Sequence, residues 1–150
     1  MGEIALTTAG SRLIAAVRRQ CAPEQIPKVL IGGLNVVWPV IRARGVVFGK
    51  NVAAYRAQSD EMVELLCGVE IADRFEDGGE VVCVETPGGT AVFATHVGPY
   101  RRLPETYGAI ARWMRERGYR AAGGSMEVYG HWEADESRLR TEVYVFVAGH

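Results

Sequence analysis

The chain carries the same order of structural signals twice, and that duplication limits the folds open to it. In the second half an apolar stripe of Leu103, Tyr107, Ile110 and Met114 follows Pro99. Its spacing lines one face of a helix. Gly118 then suits the left-handed conformation that ends one. In the first half Ile26, Leu30, Leu34, Val37 and Ile41 follow Pro23 at the same period, with Gly45 and Gly49 beyond. A strand precedes each helix, Leu13 to Arg19 and Ala91 to Val97. Beyond each helix, G-K-N-V-A-A-Y from Gly49 to Tyr55 matches G-G-S-M-E-V-Y from Gly123 to Tyr129. The strand from Ser125 to Trp132 places Glu127, Tyr129 and His131 on one face. Further strands are expected from Met62 to Ala72 and from Arg138 to Val147. Another, Val81 to Glu85, is joined to Ala91–Val97 through T-P-G-G, strong turn chemistry. The expectation is an α+β fold, β-α-β-β twice, with two helices on an antiparallel sheet. It is a single domain over residues 1–150, with repeats over about 10–75 and 80–148. Each half is too small to bury its sheet face alone, so the two should pair about a pseudo-twofold axis.

Composition narrows the function. The 150 residues are 48% hydrophobic and 23% charged, as in ordinary globular domains. With a formal net charge of -1 no overall field recruits nucleic acid or an anionic membrane. Arg112, Arg115, Arg117 and Arg120 read as the solvated face and C-terminal end of a helix. Direct nucleic-acid binding is not expected. Cys21, Cys67 and Cys83 lack metal-ligand or disulfide spacing, which suits reduced thiols in a cytoplasmic protein. Val29 to Ile41 is apolar but short and interrupted by Gly32, Gly33, Asn35 and Pro39, so no membrane span is expected. No signal peptide, cofactor motif or metal site is apparent. The G-V-V-F-G-K-N stretch has the wrong glycine spacing for a phosphate loop. His96 and His131 have no nucleophile partner and read as structural.

The halves are unequal. Pro39 lies inside the first helical pattern, where a kink or early break is expected after Trp38. Counting back from the aligned tyrosines, Glu127 corresponds to Ala53, so only the second half carries the acid. A charge among so many apolar and aromatic residues costs several kcal/mol unless compensated. The compensator can be a protein cation, a proton or a cationic ligand. On the residues alone, pairing with Arg138 or Arg140 of the next strand is the simpler choice. Tyr107, within the main stripe, reads as core packing, whereas Trp113 flanks that stripe.

G-P-Y at Gly98–Tyr100, the W-x4-G-Y helix end, the G-x3-E-x-Y strand and the final L-R-T-E-V-Y-V strand occur in fixed order. In this the chain resembles the GyrI-like, or bacterial effector-binding, domain, also found fused to DNA-binding modules in multidrug-sensing regulators. The resemblance is carried by Val81 to Val147. It implies the duplicated fold with a central ligand cleft at the junction of the halves, and a cleft-facing glutamate that meets flat, lipophilic cations. Glu127 takes that place. Tyr100, Trp113 and Tyr129 are the implied aromatic lining, with Trp38 and Tyr55 added through the internal repeat. No helix-turn-helix precedes the repeat, so a stand-alone effector-binding domain is expected, its partner a lipophilic small molecule, and a homodimer is open to it. Two alternatives follow from the resemblance. One is hydrolysis of strained, cyclopropane-containing genotoxins, with Glu127 as the catalytic group and Tyr100 or Tyr129 protonating the leaving oxygen. The other is inhibition of a protein partner of the gyrase type, for which no residue speaks.

Overall fold

The computed structural model describes residues 2–76 and 79–148. In chain order the elements are β1 (Ala5–Ala9), β2 (Leu13–Cys21), α1 (Ile26–Arg44), β3 (Phe48–Ala57) and β4 (Val63–Ile71). They continue with β5 (Val82–Glu85), β6 (Gly89–Val97), α2 (Leu103–Arg117), β7 (Arg120–Tyr129) and β8 (Arg140–Ala148). Two compact units result, Ser11–Pro87 and Met1–Gly10 with Gly88–His150. All strand pairings within them are antiparallel. The fold is α+β.

The duplication is explicit in the strand order. Ser11–Pro87 has the order β3-β4-β2-β5, and the second unit has β7-β8-β6-β1. Thus β2-α1-β3-β4 and β6-α2-β7-β8 are the same motif, and each unit gains a fourth strand beside β2 or β6. These added strands depart from expectation. β5 pairs with β2, and β6 pairs with β1 and β8, so T-P-G-G connects strands with separate partners instead of closing a hairpin. β1 itself carries too little apolar alternation to be read from sequence. The matched Gly–x5–Tyr segments share an irregularity. β3 slips register between Phe48 and Asn51, and β7 between Ala121 and Ser125, where Gly123 and Gly124 have φ of 92° and 85°. Only glycine takes that backbone readily. β7 ends at Tyr129, so His131 and Trp132 stand in the following loop rather than on a strand face.

Both helices end as the glycines require. Gly45 (φ 64°) and Gly118 (φ 75°) are left-handed caps that donate back into the last turn. Helix α1 runs through Pro39 to Arg44 without the expected break. Pro39 and Asn35 both lie on the exposed side. The carbonyl that loses its donor therefore belongs to a residue on the wet face, where water replaces the bond. By length and composition alone Pro23–Arg44 is apolar enough to cross a membrane. Here Gly33, Val37 and Ile41 of this helix are buried, in the last two cases within a core with Val17, Leu65, Cys67 and Val69 of β2 and β4.

Aligning the cap glycines corrects one equivalence. Trp38 lies seven residues before Gly45 and Trp113 five before Gly118. Two residues turn a helix by about 200°, so the two rings leave different faces. The matched buried sets are Gly33, Val37, Ile41 and Thr106, Ile110, Met114.

Gly33 sets how closely α1 approaches its sheet. A Cβ there would lie 2.6 Å from Cys67 Cβ and 2.7 Å from its sulfur, whereas Gly32 has nothing within 4 Å. Gly33→Ala should destabilise by about 1–3 kcal/mol through overpacking. Gly32→Ala should stabilise by up to about 1 kcal/mol through helix propensity. Urea unfolding of the pair measures both. The Cys67 thiol beneath Gly33 is pushed up to about 11 by burial, so it should resist thiol reagents until Gly33→Ala loosens the contact.

Candidate functional site

Glu127 opposes Val143 of β8, which in turn opposes Ala94 of β6. Opposed residues share a sheet face. Ala94 and Val143 pack with Leu103, Ile110 and Met114 of α2, so Glu127 points to the side that carries the helix. It is only 5% exposed. The protein supplies hydrogen-bond donors in place of the water it has lost. Tyr107 Oη, from α2, donates to Glu127 Oε2 at 2.7 Å. Tyr129, two residues along β7, donates its hydroxyl to Oε1. Charge-assisted bonds of this kind are among the stronger ones available to a side chain. Arg138 lies 3.8 Å from Glu133, so its ion pair forms outside this cluster.

Tyr107 thus does more than fill the core. Its stripe position suggested packing alone, yet a phenol on a buried helix face needs an acceptor. The signal was present in the repeat, because the residue matching Tyr107 before the first cap glycine is Leu34. The same contrast recurs around it. Thr106 stands where Gly33 does, and Glu127 where Ala53 does. Through the cross-strand pairs of Tyr55 and Tyr129, Thr141 stands where Leu65 does. At these positions one half presents small and aliphatic residues, and the other presents a carboxylate, a phenol and two hydroxyls.

The G-P-Y turn is anchored to the same helix. His96 Nε2 lies 2.9 Å from the Pro99 carbonyl, and Nδ1 lies 2.7 Å from Thr106 Oγ1. A carbonyl can only accept, so Nε2 carries the hydrogen. Gly98 (φ 127°) donates to Leu139 O at 2.8 Å, which fixes the other side of the turn. Tyr100 follows directly, and its ring meets Tyr129 edge-on at 5.6 Å. Burial of part of its surface raises the Tyr100 pKa above the usual tyrosine value. Among the described residues, Thr141 carries a fully buried hydroxyl with no hydrogen-bond partner. It opposes Tyr129 on one side and His96 on the other.

The structure therefore gathers Glu127, Tyr129 and Tyr100 with Tyr107. Trp113 is engaged elsewhere, stacked on Tyr119 at 5.8 Å with Arg117 4.2 Å from its ring centroid. Trp38 and Tyr55 belong to Ser11–Pro87, where both pack against the core of that unit. Trp38 Nε1 donates to Asn51 Oδ1 at 3.0 Å, and its ring meets Phe48 edge-on at 4.8 Å. No group of three or more metal-ligating side chains occurs among the described residues.

Residues 51–148 match the profile of the GyrI-like small molecule binding domain. No curated protein matches the chain. Several solved structures share the fold. The C-terminal domain of EcmrR superposes with a TM-score of 0.81 at 19% identity, over 99% of this chain and 98% of that one. In a DNA complex of EcmrR the TM-score is 0.79 at 20% identity over 97% of this chain, which spans only 57% of that one. SAV2435 bound to tetraphenylphosphonium gives a TM-score of 0.68 at 10% identity, over 98% and 94% of the two chains. A hydrolase from Listeria innocua gives 0.66 at 13% identity, over 97% and 92%.

Tyr107→Phe should cost about 1–3 kcal/mol in unfolding free energy, because it removes a charge-assisted hydrogen bond from a buried carboxylate. Leu34→Met, at the matching first-half position, should cost under about 1.5 kcal/mol as a swap of similar volume. Urea denaturation compares them, and equal losses would mean that the phenol acts by packing alone.

Proposed function

Since the chain belongs to the GyrI-like family of small-molecule-binding domains, we propose that it binds flat, lipophilic cations at Glu127. The buried carboxylate held by Tyr107 and Tyr129 carries this reading. A preorganised anion in apolar surroundings meets a cation with little of the screening that water would give. A lipophilic cation also loses little hydration on entry, so it is favoured over a small hydrated ion. Tyr100 and Tyr129, already in edge-on contact, supply ring faces for cation–π contact worth about 0.5–2 kcal/mol each. The tetraphenylphosphonium bound to SAV2435 is likewise a lipophilic aromatic cation, though its four rings stand tetrahedrally about phosphorus and only one or two of them can lie against the tyrosines.

A second reading shares the same atoms. As water forms a C–O bond and a strained C–C bond breaks, the carboxylate can take the water's proton, while the phenol beside it protonates the conjugated oxygen that receives the electron pair. The Tyr129–Glu127 bond favours this, and the Listeria innocua hydrolase has a similar fold. The substrate would be a strained electrophile opened by water addition.

Calorimetric titration with tetraphenylphosphonium tests the binding reading. Glu127→Gln should keep the fold and weaken binding by about 1–3 kcal/mol, the usual worth of a desolvated charge-assisted contact. A neutral aromatic of matched shape should lose much less. Equal losses for both would mean that Glu127 shapes the site without acting through its charge. Mass spectrometry of an incubated cyclopropane electrophile tests hydrolysis. A water adduct formed no faster than without protein would reject that reading for the compound used.

A further inference from the structure

A cavity separate from Glu127 lies against the G-P-Y turn, within the same unit. Its volume is about 270 Å³, and its walls include Tyr100, Arg101, Trp132, Glu133, Glu136 and Leu139. Trp132 is 75% exposed and Tyr100 40% exposed. A tryptophan so exposed gains nothing from the hydrophobic core. The loop that carries it is nevertheless held by definite contacts. Arg101 bonds Glu136 at 2.6 Å, Asp135 accepts from the Ser137 amide at 3.1 Å, and Gly130 donates to Arg140 O at 2.9 Å. Gly98 and Leu139 are joined across the base. The cavity is therefore built from tied segments.

Its charges are unequal. Arg101 is close enough to neutralise Glu136, whereas the cation nearest Glu133 is Arg138 at 3.8 Å, whose side chain is 72% exposed. Glu133 is less exposed than that, at 39%. The wall thus offers two aromatic rings beside a carboxylate that is only loosely paired. That combination recognises a small organic cation, through the ring faces and the charge together. The volume is enough for a single ring with an ammonium group.

We propose that this cavity is an outer binding site for small aryl-alkyl or quaternary ammonium ions, distinct from the Glu127 site. Tyr100 is common to both, lining the cavity and touching Tyr129, which holds Glu127. A cation held outside thus bears on the inner tyrosine through one ring. The proposal does not rest on cation binding at Glu127.

Benzyltrimethylammonium is the probe, titrated calorimetrically against the full chain. Saturable binding is expected at low salt. It should weaken roughly tenfold in Trp132→Ala, the loss of one well-placed cation–π partner. Glu133→Gln should weaken it several-fold, with a shallower salt dependence. Both residues lie in a surface loop, and far-ultraviolet circular dichroism checks that the variants fold. Binding should persist in Glu127→Gln. Absence of saturable binding would overturn the proposal. So would unchanged affinity in both loop variants, or equal affinity for benzyl alcohol, which lacks the charge. Loss of binding in Glu127→Gln with Trp132→Ala unaffected would place the ion at the inner carboxylate and overturn it as well. Tetraphenylphosphonium indifferent to Glu127→Gln would reject the inner site alone.

Discussion

A carboxylate out of reach of water must be solvated by the protein itself, and Glu127 makes that demand on everything around it. Two phenols answer it from different elements, one on the same strand and one on α2. Tyr107 reaches the carboxylate only if α2 sits in one rotation on its sheet, which commits Leu103, Ile110 and Met114 to the buried side. The same rotation places Thr106 against His96, and His96 in turn holds the Pro99 carbonyl that precedes Tyr100. Helix register, turn geometry and ring placement are therefore tied to one buried charge. Removing a single partner from such a network costs more than the worth of one neutral hydrogen bond.

The two halves show how a duplicated motif divides its roles. With Gly33, Leu34, Ala53 and Leu65, the first half brings helix and sheet together through close apolar packing. With Thr106, Tyr107, Glu127 and Thr141 at the matching places, the second sets polar groups in the same geometry. Backbone irregularities are kept in both, at Gly49 and at Gly123–Gly124. What differs is side-chain chemistry on a common frame. Thr141 shows the cost of this, since its buried hydroxyl has no partner where leucine would need none.

Much of this was legible in the sequence because its causes are local. The helical stripes, the cap glycines and the Gly–x5–Tyr strands each depend on residues a few positions apart, and each appears where expected. Glu127 stood out for the same reason, as a charge among apolar neighbours. The misses have longer range. Its acceptor being twenty residues along the chain, Tyr107 looked like core. Pro39 looked like a break because sequence does not reveal which helix face is wet. Trp38 and Trp113 looked equivalent until the cap glycines showed that a two-residue offset turns them apart. β1 is a short, mostly exposed A-L-T-T-A whose partner strand is more than eighty residues away.

That early strand has a consequence for assembly during synthesis. Residues 5–9 pair with a strand that begins only at Gly89, so the first piece of the Glu127 unit waits until all of Ser11–Pro87 has emerged. Closing so long a loop carries an entropic cost that nearest-neighbour pairing avoids. The intervening unit, continuous in sequence, is free to form first and shortens the effective distance between the ends of that loop. A fragment starting at Gly88 would leave one side of β6 bare, an open template for another chain's backbone. The second half thus depends on the first for delivery of its missing strand, and a dissection of the protein at its internal repeat would cut through a working sheet.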